Sequence, residues 1–124
     1  MKIIILIFII MFSFFNKASS NYSQLAYEFQ FKSLDGGVIK LSDYKNKVIV
    51  LVNVASKCGF TKQYDDLQDL WSNYQSKNLV VIGIPSNDFK QEPSTNEDIK
   101  DFCEQNFNIN FPMAEKSSVL GLNA

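Results

Sequence analysis

Two cysteines, Cys58 and Cys103, are the nucleophiles of consequence in a 124-residue chain that contains no histidine. The lack of histidine removes Cys-His and Ser-His-Asp pairs, and two cysteines alone make a zinc or haem site unexpected. No metal or cofactor is therefore expected. Cys58 follows an unbroken apolar run, Val48-Ile49-Val50-Leu51-Val52-Asn53-Val54, and is followed at once by Gly59-Phe60-Thr61. That order predicts a cysteine in the first turn of a helix, with Thr61 as its cap. Unpaired backbone N–H groups and the positive end of the helix dipole would there favour the thiolate, the reactive form of the side chain. Lys57 and Lys62 are expected either to add positive charge or to be simply solvated, and Gly59 leaves space for an approaching substrate. Cys103 lies 45 positions further on. It is not part of a Cys-x-x-Cys pair, and its helical face is shared with Ile99 and Phe102, which by itself predicts a core thiol.

The elements that must position these residues are readable from periodicity. Tyr27 to Phe31 and Val38 to Leu41 flank Asp35-Gly36-Gly37, a hairpin signal, and Ser42-Asp43-Tyr44 can start one helical turn. Val48 to Val54 lacks alternation, which predicts a central strand covered on both faces. From Thr61 the apolar positions Tyr64, Leu67, Leu70, Trp71 and Tyr74 recur at spacings of three and four, an amphipathic helix that places Trp71 in the core. Leu79 to Ile84 is a second continuous strand stopped by Pro85. Ser86 to Pro93 reads as a polar loop in which Gln91, Glu92 and Pro93 shape the turn, and Asn53 as a strand-end residue that organises its surroundings. Ser94-Thr95-Asn96-Glu97 has capping-box spacing before a helix carrying Ile99, Phe102 and Cys103. Phe107 to Met113 reads as a loop entering an extended segment. Two buried strands joined by a helix predict a parallel βαβ crossover, and ligand sites in such sheets lie beyond the carboxyl ends of the strands. Cys58 and the Pro85 to Phe89 loop should therefore meet.

The composition is that of one small globular domain, with 46% apolar residues and net charge −1. Residues 1–20 hold Lys2, Lys17, an apolar stretch from Ile3 to Phe15 and small residues at Ala18 and Ser20, which predicts a signal peptide cleaved after Ser20. The apolar stretch is about a third shorter than the ~20 residues that span a bilayer, so no stable membrane span is expected after cleavage. Residues 21–124 are then the domain, exported to a periplasmic or secreted location. In an oxidising compartment the two cysteines can rest as a disulfide. The chain without residues 1–20 carries ten basic and thirteen acidic residues, which gives no basis for a nucleic-acid partner.

Asn53-Val54-Ala55-Ser56-Lys57-Cys58-Gly59-Phe60-Thr61, together with Ile84-Pro85-Ser86-Asn87-Asp88-Phe89 and Gln91-Glu92-Pro93, resembles the two signatures of the glutathione peroxidase family. The likeness covers essentially all of the chain after residue 24. It implies an α/β, thioredoxin-like fold: an N-terminal β-hairpin, a βαβ crossover and a following helix, lacking the family's C-terminal strands and last helix. By the same resemblance Cys58 stands at the peroxidatic position. Cys103, with the neighbours Asp101, Phe102 and Phe111-Pro112-Met113, stands at the resolving position of the thioredoxin-dependent, two-cysteine members. Two departures are visible. Asp88 occupies the place of the glutamine in the family's catalytic tetrad, which leaves three alternatives: a protonated Asp88, an Asp88 that points away, or Asn87 as the useful amide. The family's Trp-Asn-Phe segment lies further toward the C-terminus than Ala124, so the sequence reads as an incomplete family domain with an unpaired sheet edge.

The expected activity is reduction of hydrogen peroxide and organic hydroperoxides through a Cys58 sulfenic acid. Cys103 resolves that acid, and a thioredoxin-like donor or glutathione re-reduces the disulfide. If Cys103 resolves Cys58, its helix must unwind locally to bring the Cα atoms within ~7 Å. A second class is a non-catalytic remnant or redox sensor using the same disulfide switch. A thioredoxin-like disulfide oxidoreductase is disfavoured because Thr61 stands three positions after Cys58.

Overall fold

The computed structural model describes residues 24–123, so the signal-peptide reading of residues 1–20 lies outside the described residues. Strands β1 (Gln30–Lys32) and β2 (Val38–Lys40) pair antiparallel, with Phe31 opposite Ile39. Gly36 and Gly37 at φ 86° and 79° make the reversal, a backbone region that side chains with a Cβ avoid. A 3₁₀ turn, Leu41–Tyr44, follows and buries Leu41.

The predicted parallel unit is present. Strand β3 (Val48–Val54) runs beside β4 (Leu79–Pro85) in a continuous register from Val48 opposite Leu79 to Val54 opposite Pro85. Helix α1 (Gln63–Tyr74) joins them and helix α2 (Asn96–Phe107) follows. Thr95, one residue later than the capping-box spacing predicts, is the cap of α2: its side chain accepts the Asp98 N–H at 3.1 Å.

Because successive side chains of a strand face opposite ways, β4 divides the interior in two. Val81 faces a core built from Tyr64, Ile99, Cys103, Ile109 and Phe111, packed under both helices. Val80, Ile82 and Ile84 face a second core with Ile39, Leu41 and Ala114, under the hairpin. The far edge of β4 is covered by the segment after α2. The Gly83 N–H donates to the Pro112 carbonyl at 3.0 Å, and the Ala114 N–H donates to the Gly83 carbonyl at 2.8 Å. The Leu34 N–H donates to Met113 and the Glu115 N–H to Lys32, so the same segment stitches β4 to the hairpin. Gly83 permits this approach, since a Cβ there would meet the Met113 sulfur and the Phe111 ring.

One expectation is corrected. The strand covered on both faces is β4, and β3 is half open, with Val48 62% and Leu51 47% exposed. Among the described residues β4 is the neighbour with which β3 pairs. The helices cover its Val50, Val52 and Val54 face, whereas on the other face the hairpin core reaches Ile49 and stops short of Leu51. This asymmetry is testable by denaturant unfolding: Ile82→Ala is expected to cost about 2–5 kcal/mol, as for a fully buried aliphatic side chain, and Leu51→Ala about 0.5 kcal/mol.

Candidate active site

Strand β3 ends at Val54, and the chain turns through Ser56 to Lys62 before α1 begins at Gln63. Cys58 therefore sits five residues ahead of the helix, not in its first turn. Thr61 explains the difference. Its hydroxyl oxygen accepts the Cys58 N–H at 3.0 Å, and its own N–H donates to the Cys58 carbonyl at 3.2 Å, which holds residues 58–61 as a closed turn. Further tight turns, Phe60 to Gln63, Thr61 to Tyr64 and Lys62 to Asp65, wind this segment into α1. The expected capping role of Thr61 is thereby replaced: Lys62 stands at the N-cap and makes no side-chain cap bond. The donor to the Cys58 sulfur is the Phe60 N–H, at 3.5 Å. Above Gly59 the space is open.

Cys58 borders a cleft of about 210 Å³ walled by Val52, Asn53, Phe60, Gln63 and Tyr64. Asn53 donates through Nδ2 to the Ile84 carbonyl at 2.9 Å, the organising role expected of it. The second signature loop is tied to the first, because the Lys57 N–H donates to the Gln91 carbonyl at 2.7 Å and the Ser86 N–H to Val54 at 3.3 Å. The two signatures thus meet beyond the carboxyl ends of β3 and β4, as the topology requires.

Asn87 and Asp88 do not border the Cys58 cleft. The Asn87 side-chain oxygen is engaged by the Glu92 N–H at 3.2 Å, and the Asn87 carbonyl by the Lys90 N–H at 2.8 Å, closing the loop on itself. Asp88 points away: its Oδ2 accepts the Val119 N–H at 2.6 Å, the Leu120 N–H at 2.9 Å and the Ser118 hydroxyl at 3.1 Å. These donors, Val119 foremost, hold its carboxyl below the usual range and favour the charged form. In this geometry Asn87 builds the loop and Asp88 anchors the segment at 118–120.

Cys103 is 2% exposed, on the inner face of α2 with Ile99, and both cysteines are free thiols. Burial pushes its thiol up to about 11. Around it lies a buried polar group that periodicity did not reveal: Ser56 from the Cys58 turn, Tyr64 from α1 and Glu92 from the signature loop. The Ser56 and Tyr64 hydroxyls and both Glu92 oxygens lack a well-formed hydrogen bond, yet they lie near enough to act on one another and on the Cys103 thiol. Burial raises Glu92 above the usual carboxyl range, against the opposing pull of Ser56, Lys116 and Lys57. Sequence offers no short-range signal for this cluster, whose members are 8 to 47 positions apart.

Among solved structures the chain resembles a thiol:disulfide interchange protein of the thioredoxin family from Chlorobium tepidum, with TM-score 0.60 at 17% identity over 70% of this chain and 56% of that one. It resembles T. cruzi GPX1 with TM-score 0.60 at 31% identity over 82% of this chain and 60% of that one. The fold is thioredoxin-like, α/β, with a cysteine at the carboxyl end of a parallel strand. Residues 26–124 match the family described as Glutathione peroxidase, and the chain belongs to that family. Curated relatives include Glutathione peroxidase-like peroxiredoxin 2 of Saccharomyces cerevisiae, 46% identical over 79% of this chain and 61% of its own length. The Hydroperoxy fatty acid reductase gpx1 of Synechocystis sp. is 43% identical over 79% of this chain and 59% of its own length. The chain spans about six tenths of the length of the curated relatives it matches.

Two outcomes follow from the loop chemistry. Asp88→Ala is expected to lower the hydrogen-exchange protection factors of the Val119 and Leu120 amides, and acidification of the wild type below the ordinary Asp value of 3.8, through the lowered folded-state value, to do the same as the carboxylate is lost. Glu92 has the opposite sign. Its folded-state pKa is raised, so its contribution favours the fold below the unfolded value near 4.5 and is lost as pH rises through the folded value. Glu92→Gln is expected to flatten that slope and raise the thermal midpoint at pH 7, as scanned by circular dichroism against pH.

Proposed function

We propose that the protein is a thiol peroxidase that reduces hydrogen peroxide and organic hydroperoxides. The observation that carries the reading is the Cys58 sulfur at an open cleft, with the Phe60 N–H directed at it and no side chain at Gly59 above it. In the reaction the Cys58 thiolate attacks one oxygen of the hydroperoxide and the O–O bond breaks. The other oxygen leaves as water or an alcohol with a proton, and Cys58 becomes a sulfenic acid. Membership of the glutathione peroxidase family supports this chemistry, as do relatives named as peroxiredoxins and as a hydroperoxy fatty acid reductase. The Val52, Phe60 and Leu67 walls suit the hydrocarbon part of an organic hydroperoxide.

Cys103 then attacks the sulfenic sulfur, water leaves, and a Cys58–Cys103 disulfide forms. A thioredoxin-like dithiol or glutathione supplies the two electrons that restore both thiols. The burial of Cys103 makes this step conformational: α2 must open, and the interactions to be released are the Thr95 cap, the Lys100–Asp35 ion pair at 2.7 Å and the packing of Ile99. Export after cleavage at Ser20 would make the donor a protein or thiol of that compartment and the role a defence against oxidative stress.

Stopped-flow mixing of reduced protein with peroxide tests the reading. Wild type is expected to consume peroxide far faster than free cysteine, Cys58→Ser to abolish the rapid consumption, and Cys103→Ser to accumulate a sulfenic acid that dimedone traps. One equivalent of peroxide is expected to raise hydrogen exchange across residues 96–107 in the wild type and not in Cys103→Ser. Wild-type consumption at the rate of a free thiol would refute the proposal.

A further inference from the structure

Cys103 has a chemical difficulty that its surroundings address. At neutral pH a thiol raised to about 11 is protonated, and it is the thiolate that attacks sulfur. An acceptor for its proton is therefore needed before or during attack on oxidised Cys58. Glu92 is 7% exposed and both of its oxygens are without hydrogen-bond partners, an arrangement a purely structural carboxylate would avoid. Ser56 is 2% exposed, its hydroxyl also lacks a well-formed hydrogen bond, and it acts on both Glu92 and Cys103, so it is the hydroxyl available to both. Ser56 belongs to the Cys58 turn and Tyr64 also borders the Cys58 cleft, so the cluster adjoins both sulfurs.

We propose that Glu92 is the positioning carboxylate for Cys103, accepting the thiol proton through the Ser56 hydroxyl when Cys103 attacks oxidised Cys58. The inference rests on the resolving role of Cys103 proposed above and deepens it. The step balances: the Cys103 proton passes to Ser56 as Ser56 passes its own to Glu92. The new S–S bond forms as the Cys58 S–O bond breaks, and the departing hydroxide takes a proton back from Glu92 and leaves as water. No external oxidant or reductant enters. The charged and titratable groups facing Glu92 set its ionisation. Burial opposes the charged form, while Ser56 and Lys57 from the turn and Lys116 from the segment after α2 favour it; Tyr64 from α1 and Cys103 from α2 face it as neutral groups whose own ionisation the Glu92 charge disfavours. A carboxylate raised in this way is a stronger base than an exposed one, and general-base assistance of this kind contributes roughly 10²–10⁴-fold.

The test is the rate of Cys58–Cys103 disulfide formation after one equivalent of hydrogen peroxide, followed against pH by acid quench, alkylation and mass spectrometry on the full chain. In wild type the rate is expected to rise as Glu92 ionises and then to level. In Glu92→Gln it is expected to fall roughly tenfold or more at pH 7. The acid limb should also disappear, leaving a rate that climbs only toward the thiol's own range near 11. Glu92→Asp, which keeps the carboxylate, is expected to recover most of the rate with the acid limb restored, an outcome that a role in packing alone would not give. Ser56→Ala is expected to slow the step as Glu92→Gln does, and carries the test if Glu92→Gln does not fold. Either variant forming the disulfide at the wild-type rate with the wild-type pH profile overturns the proposal while leaving the resolving role intact. Wild type that oxidises Cys58 and never forms the disulfide overturns both.

Discussion

The parallel pairing of β3 with β4 is the constraint on which the rest of this structure depends. Two parallel strands end at the same edge of a sheet, so the segments that leave them emerge side by side. Three bonds extend the pairing beyond the ladder: Asn53 Nδ2 to the Ile84 carbonyl, the Ser86 N–H to Val54, and the Lys57 N–H to Gln91. Through them the Cys58 turn and the Glu92 loop become one unit, although they are separated along the chain by a helix and a strand. A slip of this register by one residue would exchange the two faces of β4, turning Val81 out of the helical core and Ile82 out of the hairpin core.

The two cysteines occupy opposite environments, and the contrast follows from where each element packs. Cys58 lies on a turn that faces a cleft, and the Phe60 amide directed at its sulfur is fixed by bonds local to residues 56–61. Cys103 lies on the face of α2 that closes the helical core, where Ile99 and Tyr64 exclude water. Burial that secures α2 also holds the Cys103 thiol protonated and leaves Glu92 and Ser56 short of partners. An interior with unpartnered polar groups is less stable than a fully apolar one, which is the usual relation between a site that must react and the fold that carries it.

Much of this was legible in the residues. The hairpin follows from a period of two, both strands of the parallel unit from continuous apolar runs, both helices and the packing of Trp71 against the core from a period of 3.6, and their limits from the punctuation of Gly36, Gly37 and Pro85. The Asn53 to Thr61 signature and the one running from Ile84 to Phe89 and on to Gln91-Glu92-Pro93 identified the family, which the match over residues 26–124 bears out. The misjudged features depended on distant neighbours. The openness of β3 is set by what lies beside it, not by its own apolar run. The turn at Cys58 is set by the Thr61 hydroxyl, which bonds backward along the chain in place of capping the helix ahead.

What the sequence by itself determined, then, is the order of the elements, the faces they bury and the cysteine that stands at a strand's end. Each of these depends on side chains within one or two turns of one another. Only the tertiary structure decided that Asp88 turns toward Val119 and Leu120, that Asn87 closes its own loop, and that Ser56, Tyr64 and Glu92 gather around Cys103. Asn87 bonds within its own loop, five residues on, but the hydrogen-bond direction of Asp88 and the meeting of Ser56 with Glu92 arise from segments about 30 residues or more away. Such neighbours leave no trace in local spacing.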